Sequence, residues 1–397
     1  MKIGVDLLGC HETYSGGVAT FAIGITRGLA RSVQFPDSVD VLVSDQNEAY
    51  LKSVLEGVPV TFKKIYQTPS RRYILGVLKY LSWVLRYFKL IYWFERWFRS
   101  RAAKEIETSL DVLVVPTTTL GFFALRIPTI LCMHDIQQEY FPEFFSLRER
   151  VSRWVTYRLS AWASTFIQVS SEFVKECLIE KFSFVNAKKI FIAYEGVDFS
   201  KFNDAALSRR PLALNHFGDR QFVFYPAQVW QHKNHLLLMD ALAAFREMHG
   251  YEISCVLSGQ DGGFWATVRH RISELGLKEV YYLGRVGFEE VIWLYQNCEA
   301  VLALGLHESS SLPVREGAVF GKPLICSDIP PNIETQAYLA LNLVGRSDHL
   351  GLTQILDLLV RNDVEIRKEA QLNRDRVQYF NWDLIAKNYL AVIKECR

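Results

Sequence analysis

The sequence predicts an α/β protein with two domains, each built around a doubly wound parallel sheet. The chain has 397 residues, of which 50% are hydrophobic and 22% are charged, and this is enough for two hydrophobic cores. Short apolar runs bounded by turn residues alternate with segments of helical periodicity along most of the chain. Such alternation is typical of parallel strands joined by helices that cover both faces of a sheet.

The composition excludes several classes of protein. The formal net charge of +2 gives no reason to expect a general nucleic-acid-binding protein. Seven cysteines stand singly without a CxxC pair, which argues against a zinc site or disulfide framework and favours a reducing compartment. No signal peptide precedes the strand-like run Ile3–Leu8, and no apolar run reaches the ~18–20 residues of a membrane-spanning helix. We expect a cytoplasmic protein that is soluble or lies on a membrane surface.

The first strand–loop–helix unit contains a possible ligand loop. Met1–Leu8 predicts a buried strand and Val18–Arg31 a helix, with Gly16 and Gly17 at the helix start. Two glycines there allow a ligand to approach the backbone, although the pattern is not GxGxxG and a tight turn is the alternative. Further strands of this domain are expected over Asp40–Ser44, Val58–Phe62, Asp111–Pro116, Thr129–His134, Phe166–Ser170 and Lys189–Ala193, with helices over Leu147–Ala163 and from Ser171, where Ser170 or Ser171 is the N-cap.

The segment Arg71–Lys104 is rich in both basic and aromatic residues. Arg72, Lys79 and Arg86 recur at every seventh position, as do several aromatic residues, which predicts one long helix with a basic stripe beside an aromatic stripe. Such a helix suits an anionic membrane surface. The residues expected to bind it are Arg72, Lys79, Trp83, Arg86, Lys89, Trp93, Arg96 and Trp97. A core-packing helix is the alternative, and no recognised nucleic-acid-binding module surrounds the segment.

A linker over Asn203–Arg220 leads to the second domain. Phe222–Tyr225 predicts a strand and Leu236–Met248 a helix, with Lys233 in the loop between them. A cation at a helix start is unfavourable unless an anion pairs with it, so the loop indicates a diphosphate site, with an ordinary surface lysine as the alternative. Further elements are expected over Ile253–Gly259, Val280–Leu283, Glu289–Cys298, Leu341–Val344 and from Asn381 to Lys394.

Two acidic residues flank a serine-rich turn in the second domain. Ala300–Leu304 predicts a buried strand, Pro313–Phe320 a short helix and Leu324–Cys326 another strand. Glu308 then lies just past a strand end and Glu316 on the following helix, where ligands bind in open α/β sheets. Carboxylates accept hydrogen bonds from ribose or sugar hydroxyls, while helix amides suit a phosphate. Two solvated acids near a helix start are the alternative.

The stretch GLHESSSLPVREGAVFGKPLICSDIPPN, which follows Leu304, resembles the retaining nucleotide-sugar-dependent glycosyltransferases of family 4, also called group 1. Other matching segments are His134-Asp135, Glu195-Gly196-Val197-Asp198 with Phe202, and Gly284-Arg285-Val286. The resemblance covers nearly the whole chain. It implies the GT-B fold, with two Rossmann-like domains facing across a cleft: an acceptor-binding domain over 1–200, onto which helix 381–397 packs back, and a donor-binding domain over 201–380.

The resemblance also implies roles for individual residues. Lys233 would bind the diphosphate and Glu316 the ribose, while Glu308 and His134 would lie at the donor sugar. The catalytic group would comprise His134, Glu308 and Lys233. The other donor-binding positions would be Gln228, Ser309, Ser310, Ser311, Leu312, Arg285 and Val286, and the acceptor-side loop would contain Gly16 and Gly17. No metal ion or other cofactor is expected.

Four positions depart from the family pattern. Gln228 stands where the family usually has arginine, so either another cation assists Lys233 or the glutamine amide binds the phosphate. Ser309 and Ser311 replace glycines, which is tolerable if both have negative φ. Glu195 replaces the usual asparagine.

The expected function is that of a retaining hexosyltransferase at the inner face of the cell membrane. The donor would be a nucleotide sugar, with GDP-mannose favoured and UDP-hexoses next. The acceptor would be a lipid-linked glycan in bacterial surface polysaccharide synthesis of the O-antigen type. A phosphorylase or a sucrose-type synthase shares the scaffold. A catalytically inactive scaffold that binds nucleotide sugars or glycans also stays open, because of Gln228 and Ser311.

Overall fold

The chain divides into two compact α/β units. The computed structural model describes residues 1–11, 16–34, 36–66, 69–202, 207–218 and 220–396. Unit 1 comprises Met1–Gly196 together with Trp382–Arg397, and unit 2 comprises Val197–Asn381.

The described strands of unit 1 form one parallel sheet. They are β1 (Lys2–Asp6), β2 (Ser38–Val43), β3 (Thr61–Lys64), β4 (Val112–Val115), β5 (Thr129–Cys132), β6 (Phe166–Val169) and β7 (Ile190–Ile192). Their order across the sheet is β3-β2-β1-β4-β5-β6-β7. The direction of winding reverses between β1 and β4, which makes that pair the topological switch point of the sheet.

Helices cover both faces of this sheet. They are α1 (Gly17–Ser32), α2 (Glu48–Val54), α3 (Pro69–Val84), α4 (Leu90–Trp97), α5 (Arg101–Ser109), α6 (Leu147–Ala163) and α7 (Glu172–Lys181). Alternate residues of β4 enter opposite cores: Val112 and Val114 pack in one, while Leu113 and Val115 pack in the other. A strand buried on both faces therefore appears in the sequence as a continuous apolar run.

Local sequence signals fix the starts of two helices in unit 1. Ser146 caps α6, and its backbone N–H donates to the Glu149 carboxylate at 2.9 Å in a capping box. Ser171 caps α7 by accepting a hydrogen bond from the Val174 N–H at 3.2 Å. The prediction of an N-cap at this position is confirmed.

Unit 2 has the same winding pattern. Its described strands are β8 (Phe222–Pro226), β9 (Ser254–Ser258), β10 (Val280–Tyr282), β11 (Ala300–Ala303), β12 (Leu324–Ser327) and β13 (Asn342–Val344), in the order β10-β9-β8-β11-β12-β13. The helices are α8 (Phe199–Phe202), α9 (His235–His249), α10 (Trp265–Glu274), α11 (Phe288–Asn297), α12 (Leu312–Val319), α13 (Pro330–Thr335), α14 (His349–Val360) and α15 (Val364–Arg376). The switch point lies between β8 and β11.

The last helix, α16 (Trp382–Glu395), packs against α1 of unit 1. Trp382 is 4% exposed and meets the Phe21 ring edge-on, with 5.4 Å between centroids. A Cβ added at Gly24 or Gly196 would collide with the Trp382 ring, so these glycines make room for the indole.

The prediction of one long helix over Arg71–Lys104 is wrong. The segment contains α3, α4 and the start of α5, and Arg86 between the first two adopts the left-handed conformation with φ 51°. The reason is burial: Ser82 and Ile91 are both fully buried. At about 100° per residue, nine residues of continuous helix would place Ile91 on the side opposite Ser82.

Candidate active site

The switch point of unit 2 brings together the two loops that the sequence singled out. β8 and β11 are hydrogen-bonded neighbours, and both run toward the same edge of the sheet. The loop after β8 contains Gln228 and Lys233, and the loop after β11 contains Glu308. The carboxyl edge of a doubly wound sheet at its switch point is where this class of fold binds ligands.

Lys233 and Glu308 form an ion pair at this point. Their side chains are 22% and 15% exposed, so the pair is largely shielded from solvent. The sequence argument required an anion beside Lys233, and in this structure Glu308 is that anion. A ligand diphosphate would compete with Glu308 for the ammonium group.

Backbone contacts hold the two loops in register. The Leu306 N–H donates to the His232 carbonyl at 2.7 Å, which joins the loops directly. The Tyr225 hydroxyl donates to the Lys233 carbonyl, and Asn234 has a left-handed φ of 57° before α9 begins. A Cβ added at Gly305 would collide with the carboxylate of Glu308, so that side chain would have to shift.

Glu316 is fixed by a tyrosine of a neighbouring helix. The Tyr295 hydroxyl donates to the Glu316 carboxylate at 2.6 Å. Burial raises the pKa of Glu316, although the hydrogen bond from Tyr295 acts in the opposite direction. One bond from Tyr295 leaves the carboxylate lone pairs that can accept hydrogen bonds from ligand hydroxyls.

The serine-rich loop is organised by Arg315, a residue that sequence reasoning missed. Arg315 is 2% exposed, donates to the Ser310 hydroxyl, and lies 4.5 Å from the centroid of the Phe380 ring. The signal was its place between Val314 and Ala318 on the buried face of a short helix. Ser311 has φ −120°, and Ser309 is not among the described non-glycine residues with positive φ, so the condition under which serine is tolerable at these positions is met.

Gln228 is engaged by its own loop. The Trp230 indole N–H donates to the Gln228 side-chain oxygen at 2.7 Å. The amide group of Gln228 therefore keeps its N–H donors for another partner. This arrangement fits the expectation that the glutamine amide can serve a phosphate, but it restores none of the charge of an arginine.

Arg285 and Val286 follow β10 at the same edge of the sheet. Arg285 is exposed and Val286 is half-buried. The Gly259 N–H donates to the Gly284 carbonyl at 2.8 Å, which places this loop beside the turn after β9. Gly259 has φ 142°, and a Cβ there would collide with the backbone of Ala227.

Three histidines surround Lys233. His232 and His235 flank it in sequence, and His307 precedes Glu308. Burial lowers the pKa of His232 to about 3 and that of His235 to about 4, with the Lys233 charge contributing in both cases. His235 is completely buried, and neither of its ring nitrogens has a hydrogen-bond partner among the described residues.

In unit 1, His134 follows β5 and is held by backbone and side-chain contacts. Its Nε2 lies 3.1 Å from the Pro116 carbonyl, and because a carbonyl only accepts, Nε2 carries the proton. Its Nδ1 lies 3.9 Å from the Glu195 carboxylate, and its ring meets Phe21 edge-on at 4.7 Å. The structure thus places His134 next to Glu195, the residue that departs from the family pattern, a proximity that the sequence did not predict.

The switch point of unit 1 contains a second residue that was missed, Asp6 at the end of β1. Asp6 is 8% exposed, and its carboxylate accepts the Leu8 N–H at 3.1 Å. Burial raises the pKa of Asp6 to about 6, against the opposing influence of the Leu8 hydrogen bond and the Arg71 charge. Gly16 and Gly17 form the start of α1, but residues 12–15 of the preceding loop lie outside the described residues.

The basic aromatic segment presents more apolar surface than the sequence suggested. Trp93 is 47% exposed and Trp97 is 80% exposed, and Arg86 and Arg96 are also exposed. Further exposed apolar side chains are Tyr73, Ile74, Val77, Tyr80, Leu81, Val84, Leu85, Tyr87 and Phe98. We call these side chains, together with Trp93 and Trp97, the apolar face.

The other residues predicted to bind the membrane are Trp83, Lys89, Lys79 and Arg72. Trp83 packs against the core of unit 1, and Lys89 lies 4.4 Å from the centroid of the Trp162 ring. Lys79 is half-buried, and burial lowers its pKa. The side chain of Arg72 lies outside the described residues. Within the described part of the chain, no helix is both long and apolar enough to span a bilayer.

Across the described ranges, no group of three or more histidine, cysteine, aspartate or glutamate side chains is arranged to hold a metal ion.

Comparisons with known proteins show which family this chain matches. Residues 15–201 match the model of Glycosyltransferase Family 4, and residues 211–339 match that of Glycosyl transferases group 1, so the two matches together span most of the chain. The crystal structure of Anabaena HepE in complex with UDP and glucose superposes with a TM-score of 0.71 at 17% identity, covering 100% of both chains.

Two curated relatives match over shorter stretches. The O-antigen chain mannosyltransferase RfbU of Salmonella typhimurium is 23% identical over 218 residues, which are 55% of this chain and 56% of that protein. The D-rhamnosyltransferase WbpZ of Pseudomonas aeruginosa is 30% identical over 136 residues, or 34% of each. The matched stretches thus span about half and about a third of these relatives. From the family models and the two doubly wound sheets, the chain belongs to the family 4, group 1 glycosyltransferases and has the GT-B fold.

Proposed function

We propose that this glycosyltransferase transfers a hexose, with mannose favoured, from a nucleotide sugar to a lipid-linked glycan with retention of anomeric configuration. The observation that carries the proposal is the Lys233–Glu308 pair at the switch point of unit 2, with Glu316 on the helix that follows, α12. The name of RfbU, an O-antigen chain mannosyltransferase, supports a role in bacterial surface polysaccharide of the O-antigen type. GDP-mannose is the favoured donor, and UDP-hexoses come next. The complex of HepE with UDP and glucose supports the UDP-hexoses.

The residues of unit 2 suit the reaction that this donor undergoes. When the sugar–phosphate bond breaks, its electron pair goes to the diphosphate, and the anomeric carbon becomes positive. Lys233 and the amides at the start of α9 would stabilise the leaving diphosphate. Glu308 would then be released from Lys233 to accept hydrogen bonds from the sugar hydroxyls. The acceptor oxygen would attack from the same face and lose its proton to the leaving phosphate.

A transfer assay tests this proposal directly. The full chain is incubated with UDP-glucose, GDP-mannose, dTDP-glucose or ADP-glucose and a lipid extract that contains polyprenyl-diphosphate-linked glycans. One donor should label the lipid fraction, and the α or β linkage of the product, read by NMR, should match that of the donor. An inverted linkage would contradict retention, and neither transfer nor hydrolysis of any donor would contradict the activity.

We expect turnover without a bound metal ion. Lys233 and the amides at the start of α9 would supply part of the charge stabilisation that a divalent cation provides in other glycosyl transfers. After treatment with EDTA and gel filtration, the transfer rate should stay within about twofold of the untreated rate. A loss of activity that Mg²⁺ or Mn²⁺ restores would show that this expectation is wrong.

We further propose that unit 1 works at the cytoplasmic face of the cell membrane, where it binds the acceptor near Gly16, Gly17 and the basic aromatic segment. The apolar face and the exposed Arg86 and Arg96 support this, since aromatic rings at the interface and cations at lipid phosphates act together.

Vesicle co-sedimentation tests the membrane contact. Tyr80 is 62% exposed on the apolar face. Losing the partial burial of this side chain in lipid should weaken the free energy of membrane binding by about 1 kcal/mol, which lowers the partition coefficient roughly fivefold. Tyr80→Glu should therefore bind anionic vesicles at least about fivefold more weakly than the unchanged chain. Leu350→Glu is the control, because Leu350 is 55% exposed on α14 of unit 2. Equal binding by all three proteins would rule out the apolar face as the contact.

A catalytically inactive scaffold is the second candidate. The observation that favours it is the engagement of Gln228 by Trp230, at a position where the family usually has a cation. Loss of transfer in both Lys233→Ala and Glu308→Ala, with the fold retained, would rule out the scaffold.

A further inference from the structure

The donor site of unit 2 lacks charge for the ligand that we propose for it. The only cation of the ion pair, Lys233, is matched by the Glu308 carboxylate, and Gln228 is neutral. The diphosphate of a nucleotide sugar is a diester with two negative charges. Once it displaces Glu308 from Lys233, one lysine faces two phosphate charges and a released carboxylate, and a second cation is needed.

His232 is in a position to supply it. Its backbone carbonyl accepts the Leu306 N–H at 2.7 Å, so it is held at the junction of the two loops that carry Lys233 and Glu308. The ring is half-buried and lies 6.2 Å from the Trp230 ring, centroid to centroid. His235, by contrast, is completely enclosed against Tyr225 and cannot reach a ligand without a rearrangement.

We propose that His232 takes up a proton when the diphosphate binds and acts as the cation that replaces the missing arginine at position 228. This inference rests on the proposed function, because it needs a diphosphate at Lys233. His232 is then a binding residue of the donor site whose charge depends on occupancy.

The groups around His232 explain why its charge should change. In the free protein, burial and the Lys233 charge keep the imidazole neutral, with its pKa lowered to about 3, and His307 and His235 act in the same direction. Glu308, from the loop after β11, is held by Lys233. A bound diphosphate adds two negative charges and reverses the sign of the local field, which raises the pKa of His232 toward neutrality.

The sign of the pH dependence follows from linkage. A group whose pKa rises on binding favours the complex at pH values below its pKa in the complex, and this gain is lost as the pH rises through that value. Binding at pH 7 should therefore take up a fraction of a proton, and the Kd should rise about tenfold between pH 6 and pH 8.

Titration calorimetry in two buffers of different ionisation enthalpy, such as PIPES and Tris, measures the proton uptake. The probes are UDP-glucose, GDP-mannose, dTDP-glucose and ADP-glucose, because a diphosphate diester does not titrate near neutrality as the terminal phosphate of a free nucleotide does. For a nucleotide sugar that binds, the apparent enthalpy at pH 7 should differ between the buffers in proportion to the fraction of a proton taken up.

Substitutions assign the proton to His232. His232→Gln should bind about tenfold more weakly than the unchanged chain at pH 6, match it at pH 8 and take up no proton. His232→Arg should bind at both pH values without proton uptake, because its charge is fixed. His270→Gln is the control, because His270 is 75% exposed on α10. This variant should take up the same fraction of a proton on binding as the unchanged chain.

Two results would overturn the inference. Binding without any buffer dependence, or with an uptake that persists in His232→Gln, would contradict it and leave the proposed function standing. If none of the four nucleotide sugars binds, the proposed function fails and the inference fails with it.

Discussion

Replacing Lys233 with alanine should lower kcat/KM for glycosyl transfer about a hundredfold, equal to about 3 kcal/mol of transition-state stabilisation. Charge develops on the diphosphate as the sugar leaves, and a preorganised cation stabilises that charge more in the transition state than in the ground state. Lys233 is well placed because its loop is held by Tyr225, Leu306 and the left-handed Asn234.

A matched lysine substitution separates this effect from a general loss of charge. Lys368 is exposed on α15, and Lys368→Ala should keep kcat/KM within about twofold of the unchanged chain. Circular dichroism of each variant checks that the fold is retained. If Lys233→Ala kept kcat/KM within about threefold, the leaving diphosphate would have to be stabilised elsewhere.

Replacing Trp382 with alanine should destabilise unit 1 by about 3–5 kcal/mol, the usual cost of removing a large buried aromatic side chain. The indole fills the space that Gly24 and Gly196 leave open, and Gly28 packs against the backbone of Trp382, so the neighbouring backbone cannot close the cavity by a small shift. Hydrogen exchange measures the effect locally, because amides of α1 should lose protection while those of β8 in unit 2 serve as the reference.

The control for Trp382 lies on the same helix. Leu384 is 45% exposed, and Leu384→Ala should change the opening free energy of α1 by less than about 0.5 kcal/mol. A change below about 1 kcal/mol in Trp382→Ala would show that α16 contributes little to unit 1.

Strands and capped helices could be predicted from the sequence because their signals are local. The run Asp111–Pro116 appears as β4, and Leu147–Ala163 appears as α6 with the same bounds. Buried parallel strands are apolar throughout, and the serine and glutamate of a capping box are visible in the sequence. The GT-B fold expected from the family resemblance is confirmed for both units.

Features that depend on burial in the folded protein could not be predicted from the sequence. The seven-residue repeat around Arg86 predicts one helix, but the observed burial of both Ser82 and Ile91 is incompatible with one continuous helix. In the candidate site, the sequence pointed to Lys233 and Glu308 separately. Their ion pair depends on the adjacency of β8 and β11, which are far apart in sequence.

Arg315 and Asp6 were missed for a related reason. Each is a charged residue within an apolar element, and the sequence does not reveal what surrounds it after folding. Arg315 binds Ser310 of the serine-rich loop, and Asp6 lies at the switch point of unit 1.

The central claim is that the switch point of unit 2 binds the diphosphate of a nucleotide sugar through Lys233. Thermal unfolding of the unchanged chain and of Lys233→Ala, each with UDP-glucose, GDP-mannose, dTDP-glucose and ADP-glucose, tests it most directly. One nucleotide sugar at about a hundred times its Kd should stabilise the unchanged chain by about 2.7 kcal/mol, and most of that gain should vanish in the variant. An equal gain in both proteins, or no gain with any nucleotide sugar, would contradict the claim.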